Sequence, residues 1–210
     1  MTALWAVGSY LDASGARASW EISYDEINRD IGVATKVLGD LGIGGAGVLW
    51  CSMLSDAGQC WPYVCGTVLA GGRLSCADAT EGEAVRVAMF LRRMSYDAVF
   101  GITSAIIDGL EARGDEPAEV FGQSRLVAAW PGAYERLRAA GLSPFRYALC
   151  GPAVAIAREP GGPALVAADE WDLEQLDATI VVTALRPRAQ QFVRTPVAVG
   201  GRVVEGGLTW

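Results

Sequence analysis

The chain has 210 residues, 51% apolar and 20% charged, a balance that excludes intrinsic disorder and suffices for one sizeable core. Its 17 basic and 24 acidic side chains give a net charge of −7, which speaks against nucleic acid and anionic membrane surfaces as partners. No apolar run approaches the ~18–20 residues of a membrane-spanning helix, and the start, Met1 to Gly8, lacks the basic and apolar regions of a signal peptide, so a cytoplasmic protein is expected.

Ser23, with Glu26 three residues on, forms a capping-box pattern, and Ile27, Ile31, Ala34, Val37, Leu38 and Leu41 then recur at helical spacing. Gly42-Ile43-Gly44-Gly45-Ala46-Gly47 ends that helix. As text it satisfies G-x-G-x-x-G, but a dinucleotide site needs a strand before the glycines and a helix after them; here the order is reversed, and the run reads as a turn. Residues 48–54 read as a buried strand, 61–70 as a buried helix apolar all round and closed at Gly71-Gly72, and 73–76 as a short strand. Helices over 83–94, 104–113 and 134–140 alternate with strands over 96–101, 125–130 and 145–150, and Gly114-Asp115-Glu116-Pro117 reads as an acidic turn. Such alternation implies a parallel sheet with helices on its faces. After Gly151-Pro152 only strands are predicted, over 153–158, 164–168, 178–185 and 191–195. The expected fold class is therefore α/β: a mainly parallel sheet flanked by helices, followed by a smaller β-rich C-terminal part. The division is 1–152 and 153–210, packed as one unit.

The chain has no histidine, which removes Ser/His and Cys/His nucleophile pairs, His-containing zinc sites and an unperturbed base near neutral pH; Lys36 is its one lysine. Cys51, Cys60, Cys65 and Cys76, with Cys150 apart, include no C-x2-C pair, and neither a metal nor disulfides are expected. Cys150, at a strand end beside Gly151, is a candidate reactive thiol, and Tyr147 and Asp56 are the other candidate catalytic groups. Trp50, Trp61, Trp130 and Tyr147 fall at or beside strand ends, where open α/β sheets bind ligands; core packing is the competing reading. Arg186, Arg188 and Arg194 could grip a carboxylate or phosphate, with a solvated arginine-rich loop as the plainer reading; Arg194 is the anion-binding candidate.

Taken in order, these segments resemble the adenylate-forming ligases of the phenylacetate-CoA ligase branch, from about Ser14 to Arg202. Residues 13–20, followed by Tyr24-Asp25-Glu26, are similar to the family's phosphate loop and helix start, and 53–72 to its glycine-punctuated helix over the acyl pocket. Arg125-Leu126-Val127-Ala128-Ala129-Trp130-Pro131 lies where the family has a Gly-Ala-Glu-Pro strand end, and Tyr147-Ala148-Leu149-Cys150-Gly151 where Tyr-Gly-Leu-Ser/Thr-Glu is expected. Residues 179–185 and 192–195 resemble the family's Leu-Val-Val-Thr-Thr-Leu and Arg-Tyr-Arg-Thr-Gly-Asp segments. The resemblance implies a degenerate phosphate loop at Ser14, Gly15 and Ser19, and a ligand cleft at Met53, Asp56, Trp130, Tyr147 and Gly151. Gly151 stands where the magnesium-associated Glu belongs, and Pro196-Val197 where the ribose-binding Gly-Asp belongs. It therefore implies a domain that binds an acyl or aromatic carboxylate-type small molecule, or a partner protein, without ATP-dependent activation. No cofactor is expected; ATP or AMP and CoA are those the resemblance would admit. The alternatives are a small biosynthetic enzyme, an acyl-CoA ligase, acyltransferase or lyase using the same cleft, and a structural subunit of a larger complex. A homodimer is expected, with 61–70 near the contact, because in the family a further subdomain covers this sheet.

Overall fold

In the computed structural model, which describes residues 3–210, two strands precede the first helix: β1 (Leu4–Leu11) and β2 (Arg17–Ser23), paired antiparallel. Ser23 then caps α1 (Tyr24–Asp40) as its spacing predicts: Oγ accepts from the Glu26 amide at 3.3 Å, and Glu26 Oε2 accepts from the Ser23 amide at 2.8 Å. The glycine run turns the chain into β3 (Gly47–Ser52), with Gly42 and Gly45 at φ of +73° and +76°. There follow α2 (Ala57–Leu69), β4 (Arg73–Asp78), α3 (Ala84–Arg93), β5 (Ala98–Ile102), α4 (Ser104–Glu111), α5 (Pro117–Phe121), β6 (Leu126–Ala129), α6 (Pro131–Ala139) and β7 (Phe145–Cys150). The remainder is β8 (Ala153–Ala157), β9 (Ala164–Leu165), β10 (Trp171–Leu176), β11 (Thr179–Ala184), β12 (Thr195–Val197), β13 (Arg202–Val204) and β14 (Gly207–Thr209).

Nine strands form one mixed sheet in the order β13-β14-β9-β8-β7-β6-β5-β3-β4, parallel from β4 to β7 and antiparallel beyond. The fold class is the expected one. Alternating side chains of the parallel strands feed two helical layers: Leu49, Cys51 and Val99 pack with α3, α4 and α6, whereas Val48, Trp50 and Phe100 pack with α1 and α2. A third core joins the β1–β2 hairpin, the far face of β7 and β8, and the three-stranded sheet β10-β11-β12. Gly151 and Pro152 turn β7 into β8, so one sheet runs through residue 152.

Several expectations need correction. The segment at 13–20 is the turn and second strand of a hairpin, because Arg17, Ser19 and Glu21 face water while Trp20 and Ile22 face the core. That hairpin seats tightly: a Cβ on Gly8 or Gly58 would lie 2.4 Å or 2.8 Å from the Trp20 indole, which glycine alone admits. Residues 191–194 form a loop, and β12 starts at Thr195. Helix α2 is not buried all round: Pro62, Tyr63, Gly66 and Thr67 face the protein, but Trp61, Val68 and Leu69 are exposed.

Candidate functional site

The parallel strands all end on one side of the sheet, and the chain reverses its direction of strand addition between β3 and β5, where such folds open a crevice. A cleft lies there. One chamber, about 20 Å³, is lined by Met53, Cys60, Thr103, Trp130, Tyr147 and Leu149; the other, about 70 Å³, by Tyr10, Arg17, Asp56, Gln59, Trp130 and Gly151. Asp56, Trp130 and Leu149 border both.

Local backbone chemistry sets each side chain. Trp130 precedes Pro131, the first residue of α6, and proline holds its predecessor extended, so the indole stays at the strand end. Its amide donates to Ile102 O at 3.0 Å, and its ring meets Tyr147 edge-on at 5.7 Å. Thr103 caps α4, accepting from the Ile106 amide and donating to Ala79 O at 3.1 Å. Gly101, at φ +82°, forms the bulge before it; a Cβ there would strike Cys51 O. Gly151, at φ +61°, supplies the positive φ that a two-residue hairpin turn requires.

Electrically, the floor of the cleft is neutral. Burial pushes the Tyr147 hydroxyl well above its ordinary range and the Cys60 thiol up to about 12, and the two groups meet at 3.5 Å. The charged groups of the lining are Arg17 and Asp56, and the Asp56 carboxylate borders both chambers. Arg17 donates to Ser55 Oγ at 2.6 Å and Ser9 Oγ at 3.1 Å, and reaches Asp56 Oδ1 only at 3.4 Å. Gln59 donates to Ser9 O at 2.9 Å and Gly151 O at 3.0 Å, which leaves its buried Oε1 without a partner.

The sequence-derived residues separate on this map. Met53, Asp56, Trp130, Tyr147 and Gly151 come together around the cleft. Cys150 does not: it points into the third core, fully buried, and burial pushes its thiol up to about 12, so no thiolate forms at neutral pH. Ser14, Gly15 and Ser19 lie exposed, away from the cleft lining. Asp12 Oδ1 accepts from the Ser14 amide, the Ser14 hydroxyl and the Ala16 amide at 2.8, 2.6 and 3.1 Å. The turn thus spends three donors, two amides and a hydroxyl, on its own carboxylate. Arg194 is exposed and paired with Glu174 at 3.1 Å. Arg188, read as part of a solvated loop, is buried: it bonds both oxygens of Asp30 at 2.8 and 2.9 Å and Glu170 at 3.0 Å, and stacks 4.0 Å over Trp171. Among the described residues no group of three or more His, Cys, Asp or Glu side chains is arranged to hold a metal. Sequence reading missed Arg17, Gln59 and Thr103; the period-two pattern of β2 would have put Arg17 on the solvent side of a strand beside the site.

The sequence matches no family model and no curated protein. Among solved structures, a 2-hydroxyisobutyryl-CoA ligase in an open conformation, in complex with 2-HIB-AMP and CoA, is similar: TM-score 0.70 and 16% identity, over 92% of this chain and 51% of that one. A malonyl-CoA ligase with methylmalonyl-CoA and AMP bound gives a TM-score of 0.58 at 16% identity, over 90% and 45% of the two chains. An ATP-bound RpMatB-BxBclM chimera gives 0.62 at 14% identity, over 90% and 41%. The fold is that of the adenylate-forming acyl-CoA ligases, and the chain spans about half the length of the ligases it matches. No helix among the described residues is long and apolar enough to cross a membrane.

Proposed function

We propose that this ligase-fold chain binds a small acyl or aromatic carboxylate without ATP-dependent activation, its apolar end against Trp130, Met53 and Leu149 and its carboxylate toward Arg17. The observation that carries this reading is one guanidinium at the rim of a cleft floored by the un-ionised Tyr147 and Cys60. Arg17 is braced by two serine hydroxyls, while its contact to Asp56 is long enough for an incoming carboxylate to replace. The chambers, at about 70 and 20 Å³, are far smaller than a nucleotide, and the turn bearing Ser14 and Gly15 spends its donors on Asp12. The ligases with this fold include one complexed with an acyl adenylate and CoA, which favours an acyl group as the ligand class here.

Calorimetric titration with isobutyrate, benzoate and phenylacetate, and separately with ATP with and without magnesium, tests the reading. At least one acid is expected to bind, and Arg17→Gln to weaken it about tenfold, which corresponds to ~1.4 kcal/mol. Micromolar, magnesium-dependent ATP binding would overturn the claim that ATP is not used; failure of all three acids would overturn the ligand class.

A further inference from the structure

Independently of the cleft, the two edges of the nine-stranded sheet are finished differently. At one end β13 is only three residues long and has its Val203 amide capped by Gln175 Oε1 at 3.0 Å. At the other end β4 runs six residues in unbroken register with β3, with no proline, lysine or bulge, and among the described residues no strand covers its outer side. Natural sheets blunt such edges unless they pair.

The free hydrogen-bonding groups can be assigned. The Arg73 amide donates to Ala46 O and the Ala79 amide to Ser52 O, so odd-numbered residues of β4 face β3. By alternation the amides and carbonyls of Leu74, Cys76 and Asp78 point outward. Apolar side chains flank this edge: Val68 and Leu69 of α2, just ahead of β4, are 56% and 67% exposed, and Met94, across the adjoining groove from Leu74, is 52% exposed. A groove of about 310 Å³ runs beside β4, between Arg73, Leu74 and Ser75 on one side and Met94 and Tyr96 on the other.

We infer that β4 is a homodimer edge, which pairs antiparallel with β4 of a second copy about a two-fold axis at Cys76. A second copy is the occupant the strand itself fits. Only in the register that sets Cys76 opposite Cys76 of the second copy does every outward-facing residue pair, with Leu74 opposite Asp78 and Asp78 opposite Leu74. Antiparallel pairing also brings the Arg73 end of each strand beside the Asp78 end of the other, so no like charges face across the ladder. The flanking α2 residues then meet their counterparts beside the joined sheet, burying a hydrogen-bonded edge and its apolar margin together. This moves the expected contact from the body of α2 to its exposed flank, Val68 and Leu69, beside the strand.

In solution, light scattering at micromolar concentration is expected to give twice 22.1 kDa. The paired Cys76 Cα atoms should lie ~5.5 Å apart, within disulfide reach, so copper–phenanthroline oxidation of a Cys65→Ser background should trap a covalent dimer, and adding Cys76→Ser should abolish it. Because Cys76 is exposed, Cys76→Lys leaves the fold intact by circular dichroism yet sets two cations across the axis, and should give a mass near 22.1 kDa. A native mass of 22.1 kDa, or a dimer that Cys76→Lys leaves unchanged and oxidation does not link through Cys76, overturns the inference.

Discussion

Gly151 shows how one residue can tie the cleft to the core. Its φ of +61° disfavours any side chain, an added Cβ would lie 2.6 Å from Val197 Cγ1, and its carbonyl accepts from Gln59. Gly151→Ala therefore meets strain and a clash at once, and a loss of about 1–3 kcal/mol in urea unfolding is expected. Tyr147 and Trp130, which sequence reasoning treated alike, differ in depth. Tyr147 is 1% exposed and packed against Trp50, Trp130 and Cys60, so Tyr147→Ala should cost ~3–5 kcal/mol as a truncated core aromatic. Trp130 is only partly buried and borders both chambers. Trp130→Ala should weaken acid binding several-fold with a smaller drop in melting temperature; calorimetry beside thermal denaturation separates the two. The position of Trp130 was legible from a strand end; Tyr147 instead lies in mid-strand, the third of the six residues of β7. Their unequal burial was not legible, because it depends on Trp50 and Cys60, residues brought in by other elements.

Between elements, the strongest tie is ionic. Arg188, in the loop after β11, reaches Asp30 of α1 across 158 residues of sequence, and Glu170 is shared with Arg29 at 2.9 Å. The Glu26 Oε2 that completes the α1 capping box also accepts from the Ala189 amide at 2.8 Å. Removing Arg188 would leave buried carboxylates facing one another, so Arg188→Ala should cost ~3–5 kcal/mol in chemical denaturation. A loss under ~1 kcal/mol would assign the cluster the weight of a surface pair. Sequence reading recovered the capping box because all its partners lie within four residues, and the β/α alternation because β3, β5 and β6 are largely apolar runs between helical segments. It missed β1, β2, α5, β10, β13 and β14, although Trp20 and Ile22 of β2, and Trp171 and Leu173 of β10, alternate with polar neighbours in a clear period of two. The burial of Arg188 had no local signal at all: its partners come from a helix and a turn that only the closed fold brings together.

Across the whole molecule, each of the three cores holds one buried thiol: Cys51 between the sheet and α3–α4, Cys60 under α2, and Cys150 against the β1–β2 hairpin. Burial raises all three, Cys60 and Cys150 to about 12 and Cys51 further. In the unfolded chain these thiols ionise at about 8.5, so the stability owed to keeping them neutral is complete below that pH and is lost as pH rises toward the folded values. No histidine titrates nearer neutrality. Stability should therefore fall above about pH 9, by ~1.4 kcal/mol per pH unit for each thiol. The slope also reports on cooperativity. If residues 1–152 and 153–210 unfold together, as the continuous sheet through Gly151 and Pro152 argues, one transition carries all three thiols, and Cys51→Ala, Cys60→Ala and Cys150→Ala each flatten its alkaline slope equally, whatever their separate cavity costs. Urea titrations across this pH range decide it: two transitions, with Cys150→Ala altering the slope of only one, would show that the parts on either side of residue 152 unfold independently.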